Sequence, residues 1–438
     1  MRDAGLPPGW REAKLGELGS FCRGRGGTKA DEDPNGLPCI RYGDLYTHHD
    51  CIVRSFASSI SSASASSYTR LQRGDVVFAG SGETFEEIGK AAAYCGDAPA
   101  YAGADTILFR PGPDLLPQFA GYAVNCESAN AHKSRMGQGS SVIHIGSDHL
   151  AQMLLKLPPR AQQERIAEIL STADESIEQT KALIAKTHQI KAGLMHDLFT
   201  RGVTADGQLR PPREEAPRLY RESSLGWIPK EWDIRPLNGI AEVNRGKFTV
   251  RPRNDPRYYN GEYPFIQTGD VALAGGRVLT AYSQTLNSLG LGVSRLFPVG
   301  TIMVTIAANI ADTCILGISM CAPDSLVGVV PNSGEVTRFI ELCIRRRKRW
   351  FENRAPQTAQ KNINLDDLRP LPIPYPALAE QTRIAERYEA IDAQLRENEQ
   401  AAGKLSMFKR GLMADLVPGR VPVAASALAT TMEVAANV

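Results

Sequence analysis

The chain has 438 residues, 42% of them hydrophobic, which is too long for one ordinary domain and supplies apolar mass for two or three separate cores. Its formal net charge of +2 does not by itself point to nucleic acid, so the distribution of charge has to carry any such argument. No signal-like N-terminus or apolar run of about 18 residues is found, so the chain is expected to be cytoplasmic with no membrane association; its eight cysteines form no Cys-x-x-Cys pair, which argues against a zinc or other metal site and against a disulfide framework.

Residues 1–157 read as a first globular domain. It opens on Leu6-Pro7-Pro8-Gly9-Trp10, with Leu15, Leu18 and Arg23-Gly24 following. Short β-type runs, Val76-Val77-Phe78 and Thr106-Ile107-Leu108-Phe109, alternate with a few helical stretches, so the domain is expected to be irregular α+β. Its basic candidates for DNA contact are Arg23, Arg25 and Lys29 in a Gly-rich loop, Arg41 near His48 and His49, and Lys133 with Arg135.

A long helix is predicted over 158–200, led by Pro158-Pro159. Apolar or small residues at Ile166, Leu170, Ala173, Ile177, Thr180, Ile184, Thr187, Lys191, Leu194 and Leu198 alternate steps of three and four, which is a heptad seam. Residues 201–224 follow as a linker, with Pro211-Pro212 and Pro217 excluding helix.

The second domain is placed at 225–373. Charge concentrates between Arg338 and Arg354, where Arg338, Arg345, Arg346, Arg347, Lys348, Arg349 and Arg354 outnumber Glu341 and Glu352 for a net +5. A helix with such a face would suit phosphate, a solvated basic face being the alternative. Arg245, Lys247, Arg251, Arg253 and Arg257 form a second cluster against Asp255. Gln267, Gln357, Gln360, Lys361 and Asn362 carry donors and acceptors that match base edges, although each could be an ordinary surface residue.

A second proline-led helix is predicted over 374–418. Its seam runs Ile384, Tyr388, Ile391, Leu395, Asn398, Ala402, Leu405, Lys409, Leu412 and Leu416, and residues 419–438 are left as a frayed tail. Helices of about 40 residues would be roughly 60 Å long and could pair antiparallel as an intramolecular coiled coil that separates the two domains. Packing of each helix on its own domain is the alternative. Thr180 with Asn398, and Lys191 with Lys409, are polar interruptions of the kind that fix register.

The two halves are copies. Leu6–Trp10 corresponds to Ile228–Trp232, and Pro38-Cys39-Ile40-Arg41-Tyr42-Gly43-Asp44-Leu45 to Pro264-Phe265-Ile266-Gln267-Thr268-Gly269-Asp270-Val271. Gln163-Glu164-Arg165-Ile166-Ala167-Glu168 matches Gln381-Thr382-Arg383-Ile384-Ala385-Glu386 at five of six positions, and Gly193–Leu198 matches Gly411–Leu416 equally well at the same offset. The helices kept one register while the domains drifted, which makes the helices the scaffold.

Catalytic signatures are missing. Asp255-Pro256-Arg257-Tyr258 has Arg257 where an amino-methyltransferase motif needs a second proline, and Thr84–Ala91 lacks the first glycine and the final Ser/Thr of a phosphate loop. Gly80-Ser81-Gly82 lacks the spacing of a nucleophilic serine turn.

Over residues 6–420 the chain resembles the specificity subunit of type I restriction-modification systems. The resemblance rests on the openings ending in Trp10 and Trp232, the Gly43-Asp44 and Gly269-Asp270 turns, Ile88-Gly89-Lys90, Gln360-Lys361-Asn362-Ile363, and the helices beginning at Gln163 and Gln381. Where the second half has the Gln-Lys-Asn-Ile form, the first has Gln138-Gly139-Ser140-Ser141-Val142-Ile143. With these matches Lys90 and Gln138 join the DNA-binding candidates. The family implies a non-catalytic chain with two target-recognition domains, each reading one half of a split, non-palindromic site in double-stranded DNA, and spacer helices that dock two methyltransferase subunits. Adenine methylation and restriction would belong to those partners and to restriction/translocase subunits, with S-adenosylmethionine, ATP and Mg²⁺ bound there. A pseudo-dimeric DNA-binding regulator acting without partners is the competing expectation.

Overall fold

A computed structural model describes residues 6–307, 309–354 and 362–423. The chain divides into two compact units, one running to Leu183 and resuming at Asn398, the other spanning Ile184–Glu397. The division cuts both long helices, so each unit holds one globular domain, the near half of the helix that follows it, and the far half of the other helix.

In the first unit an antiparallel sheet is ordered Gly19–Arg23, Thr106–Pro111, Val76–Ala79, Ala91–Ala93. Val76–Ala79 is buried along its whole length because the sheet is covered on both faces. Alternation then sorts its side chains: Val76 and Phe78 enter a large core with Phe109, Phe119 and Tyr122, while Val77 and Ala79 enter a smaller one with Ile40, Leu45 and Leu108. A second sheet, Ser58–Ile60, Glu32–Ile40, Tyr101–Ala102, Thr69–Arg70, pairs its two middle strands in parallel. Arg11–Lys14 pairs with Leu154–Leu157, bringing the beginning and end of the domain together just before the helix Arg160–Thr200.

The second unit repeats this plan. Ala241–Arg245, Leu326–Pro331, Ile302–Thr305 and Thr313–Leu316 form the first sheet, with Val278–Leu279 added beyond them. Gln284–Leu286, Tyr259–Phe265, Met320–Ala322 and Arg295–Phe297 form the second, and Asp233–Pro236 with Pro372–Tyr375 closes the domain before the helix Leu378–Leu416. Ile302 and Val304 face one core and Met303 the other, the same period of two.

Within each unit the two long helices run antiparallel. In the first, Ile166 and Leu170 share the core with Leu416, and the partly buried Leu412 packs against it, while one step along the seam Asp174 meets Lys409. In the second, Leu198 shares the core with Ile384 and Tyr388, the partly buried Leu194 packs against it, and Lys191 meets Asp392. Ile177 and Leu395 are buried, and Ile184, Ile391 and Leu405 half-buried. The seam is therefore a real packing surface, and its lysines do not face each other: each takes an aspartate of the opposite helix.

Residues 201–224 differ from the expected linker. Tyr220–Ser223 pairs with Gly226–Pro229, so Leu225 falls in the turn of a hairpin rather than at a boundary. Arg210 is buried between Glu380 and Glu231, and Glu380 also accepts from the Val203 N–H at 2.8 Å and Trp232 Nε1 at 3.2 Å. A segment rich in Pro and charge reads as solvated, but here the charge is neutralised inside the fold. All eight cysteines are free, and six are buried. No helix among the described residues is long and apolar enough to cross a membrane.

Candidate nucleic-acid interface

In the second unit the strand ending at Arg245 turns at Gly246, whose backbone lies so close to the chain at Pro323 that a Cβ would stand 2.1 Å from the Pro323 carbonyl oxygen. The loop that follows carries Lys247, Arg251, Arg253 and Arg257, all exposed. Asp324 gathers them: Arg253 Nη2 donates to its carboxylate at 2.6 Å, Arg251 approaches at 3.7 Å, and Arg245 Nε donates to its carbonyl at 2.6 Å. Arg295 arrives from the neighbouring sheet and donates to the Arg245 carbonyl at 2.7 Å. Arg245, Arg251 and Arg253 thus meet at Asp324, Arg295 joins them through Arg245, and Arg257 pairs with Asp255. The side chains of Arg251 and Arg253 stay 57% and 51% exposed, so their ion pairs are weak and phosphate can compete for them.

Gln267 follows the strand Tyr259–Phe265 and caps the helix Thr268–Ala274. Its N–H donates to Asp270 at 2.7 Å and its Nε2 to Gln284 Oε1 at 3.1 Å. Arg41 holds the same place in the first unit, its N–H donating to Asp44 at 2.9 Å. The Arg41 side chain is bound to Glu32, with Nε and Nη2 buried and unpartnered. Arg23 and Arg25 are exposed on a loop whose Gly26, at φ +81°, rests on the Tyr68 ring. Lys29 begins the turn Lys29–Asp31 beside them.

One expected contact is corrected. Lys133 is 1% exposed; its Nζ donates to the Gly89 carbonyl at 2.9 Å, and burial pushes its pKa down to about 7. Lys90 Nζ reaches the Tyr46 carbonyl at 3.5 Å and lines a polar cleft of about 420 Å³ together with His48, His49 and Asp174 of the first long helix. Burial lowers the His49 pKa to about 4. Arg135 and Gln138 are exposed, Gln138 in a backbone bridge with His144.

The run at 345–349 is not one phosphate-binding face. Successive helical residues point about 100° apart, so three arginines in a row leave in three directions. The helix Thr337–Arg346 buries Glu341 completely, and Arg338 and Arg345 neutralise it. The Arg345 guanidinium lies 4.9 Å from the Tyr388 ring centroid and that of Arg346 4.5 Å from Phe199, while Lys348 pairs with Asp312. Arg345 and Arg346 fasten the domain to the long helices of its own unit, and Lys348 is tied within the domain. Arg347 is half-buried and Arg349 exposed. Asn362 is exposed and bridges Ala307, whereas Gln357, Gln360 and Lys361 lie outside the described residues. Sequence reasoning missed Arg295 and Asp324, which approach Arg245 only through sheet pairing.

Fold and charge together define a duplicated DNA-recognition protein. Residues 7–188 and 229–402 match the family model for the type I restriction-modification DNA specificity domain. A protein of Methanocaldococcus jannaschii, predicted to be the type I restriction enzyme MjaX specificity subunit, is 25% identical over 95% of both chains. The crystal structure of a type I restriction-modification S subunit from M. genitalium superposes with a TM-score of 0.59 at 14% identity, covering 95% of this chain and 98% of that one. A chain from a structure describing complex assembly and conformational transition of the type I system gives 0.56 at 16% identity, over 95% and 100%. The chain belongs to the type I restriction-modification DNA specificity family, and it is a non-catalytic subunit that recognises DNA sequence.

Proposed function

We propose that each unit reads one half of a split, non-palindromic site in double-stranded DNA. Two methyltransferase subunits, and restriction/translocase subunits where present, perform the chemistry in the cytoplasm. One observation carries the reading: a single domain frame occurs twice, with different side chains at equivalent, half-buried positions. Arg41 in one unit stands where Gln267 stands in the other, and arginine suits guanine where glutamine suits adenine. Two different readers give a site whose halves differ. S-adenosylmethionine, ATP and Mg²⁺ are assigned to the partner subunits, as the family resemblance implies.

Single-molecule methylome sequencing of a host expressing the chain with its methyltransferase tests this. The expected result is a split adenine-methylated motif that disappears when the chain is deleted. A palindromic motif, or an unchanged methylome, overturns the reading.

A further inference from the structure

At one edge of the second unit the turn Pro256–Tyr258 lies beside the short helix Ser288–Val293. Asn287 bolts the two together. Its Oδ1 accepts from the N–H groups of Leu289 at 3.0 Å and Gly290 at 3.1 Å, and its Nδ2 donates to the carbonyls of Arg257 at 2.9 Å and Tyr259 at 3.2 Å. Gly290 leaves no slack, because a Cβ there would stand 2.3 Å from the Tyr258 carbonyl oxygen. On this fixed frame Leu289 is 64% exposed, next to the turn that carries the exposed Arg257.

The first unit builds the same edge with different chemistry. Its turns Lys29–Asp31 and Ala65–Ser67 are joined by Asp31, which accepts from Ser64 Oγ at 2.9 Å and whose carbonyl accepts from the Ser61 N–H at 2.9 Å. The segment Ser61-Ser62-Ala63-Ser64-Ala65-Ser66-Ser67 holds no large apolar side chain. A rigid apolar group beside the turn of Arg257 in one unit, replaced by hydroxyls in the other, is what a position that reads sequence requires.

We propose that Leu289 makes an apolar contact with a DNA base, the thymine methyl in the major groove being the group that fits. Arg257 on the adjoining turn would hold the backbone, and the leucine gains only where a methyl meets it. This inference rests on the reading of the unit as a half-site reader.

The test uses the complete complex with its methyltransferase partner and duplexes carrying its own site, in which deoxyuracil replaces each thymine of one half-site in turn. That change removes only the methyl. Wild type is expected to lose about 3- to 10-fold in affinity at one position. Leu289→Ala should lose a similar factor on the unmodified duplex and cease to distinguish thymine from uracil there. Its thermal midpoint should not move, because the side chain is exposed. A half-site without thymine, a wild type indifferent to uracil, or equal losses by the variant on specific and non-specific DNA overturns the proposal. Absence of site-specific binding by wild type would instead remove the half-site reading itself.

Discussion

Lys133 shows how far one residue can depart from its type. As a basic side chain near Arg135 it reads as a surface cation, yet only neutral acceptors meet its Nζ, the Gly89 carbonyl and Asn125 Oδ1. Its folded pKa of about 7 lies below the ordinary 10.5. Below pH 7 both folded and unfolded chains carry the proton, so the cost of burying the ammonium is fully present. Between 7 and 10.5 only the unfolded chain holds it, and stability rises with pH. Lys133→Met, similar in length and uncharged, is expected to raise the thermal midpoint at pH 6 and to flatten its rise towards pH 9. A lower midpoint at pH 6 would show that the bond to Gly89 outweighs the burial cost. Nothing local in the sequence distinguishes this lysine, because the Gly89 backbone that meets its side chain lies 44 residues away in the chain.

At the scale of elements, the two long helices were legible in their proline leads, seam and constant offset. The heptad positions lie in the packed seam because a period of 3.5 is a property of the chain itself. What escaped was the partnership of the polar positions. Lys191 and Lys409 are 218 residues apart, and so are their acceptors Asp392 and Asp174, so the duplication copied both ends of each ion pair. Lys409 is the more enclosed, with its side chain 6% exposed, and it also holds Asp50 of the globular domain. Its ammonium pKa is raised by the surrounding acids despite burial. Lys409→Ala leaves Asp174 buried with only Tyr122 and the edge of Arg54 for company, and is expected to cost about 3–5 kcal/mol in chemical denaturation. Lys191→Ala, at a wetter pair, should cost nearer about 1 kcal/mol. Equal losses would mean that burial does not set the difference.

For the whole molecule, a net charge of +2 conceals a strongly basic edge on the second unit and a weaker one on the first. Charge clustering along the chain marked 245–257, whose basic residues are exposed, and gave equal weight to 345–349, where Arg345 and Arg346 lie against Tyr388 and Phe199 and Lys348 pairs with Asp312. Linear density cannot separate these cases, since a buried acid such as Glu341 and an aromatic face such as Phe199 appear only in three dimensions. Arg251→Ser with Arg253→Ser is therefore expected to weaken DNA binding at all sequences alike and to lower the salt slope of log affinity by about 1 for each phosphate left without its arginine. Weakening confined to the preferred site would assign these arginines to base reading.

The chain leaves each globular domain by the strand next to the one on which it arrived, Leu154–Leu157 beside Arg11–Lys14 and Pro372–Tyr375 beside Asp233–Pro236. The covalent path into and out of each domain is thus confined to one pair of strands, a doorway at which a cut would leave the register of the helix beyond untouched. A foreign domain grafted there would still have to bring its own ties to the helices, such as Asp50 to Lys409 and Arg338 to Glu389.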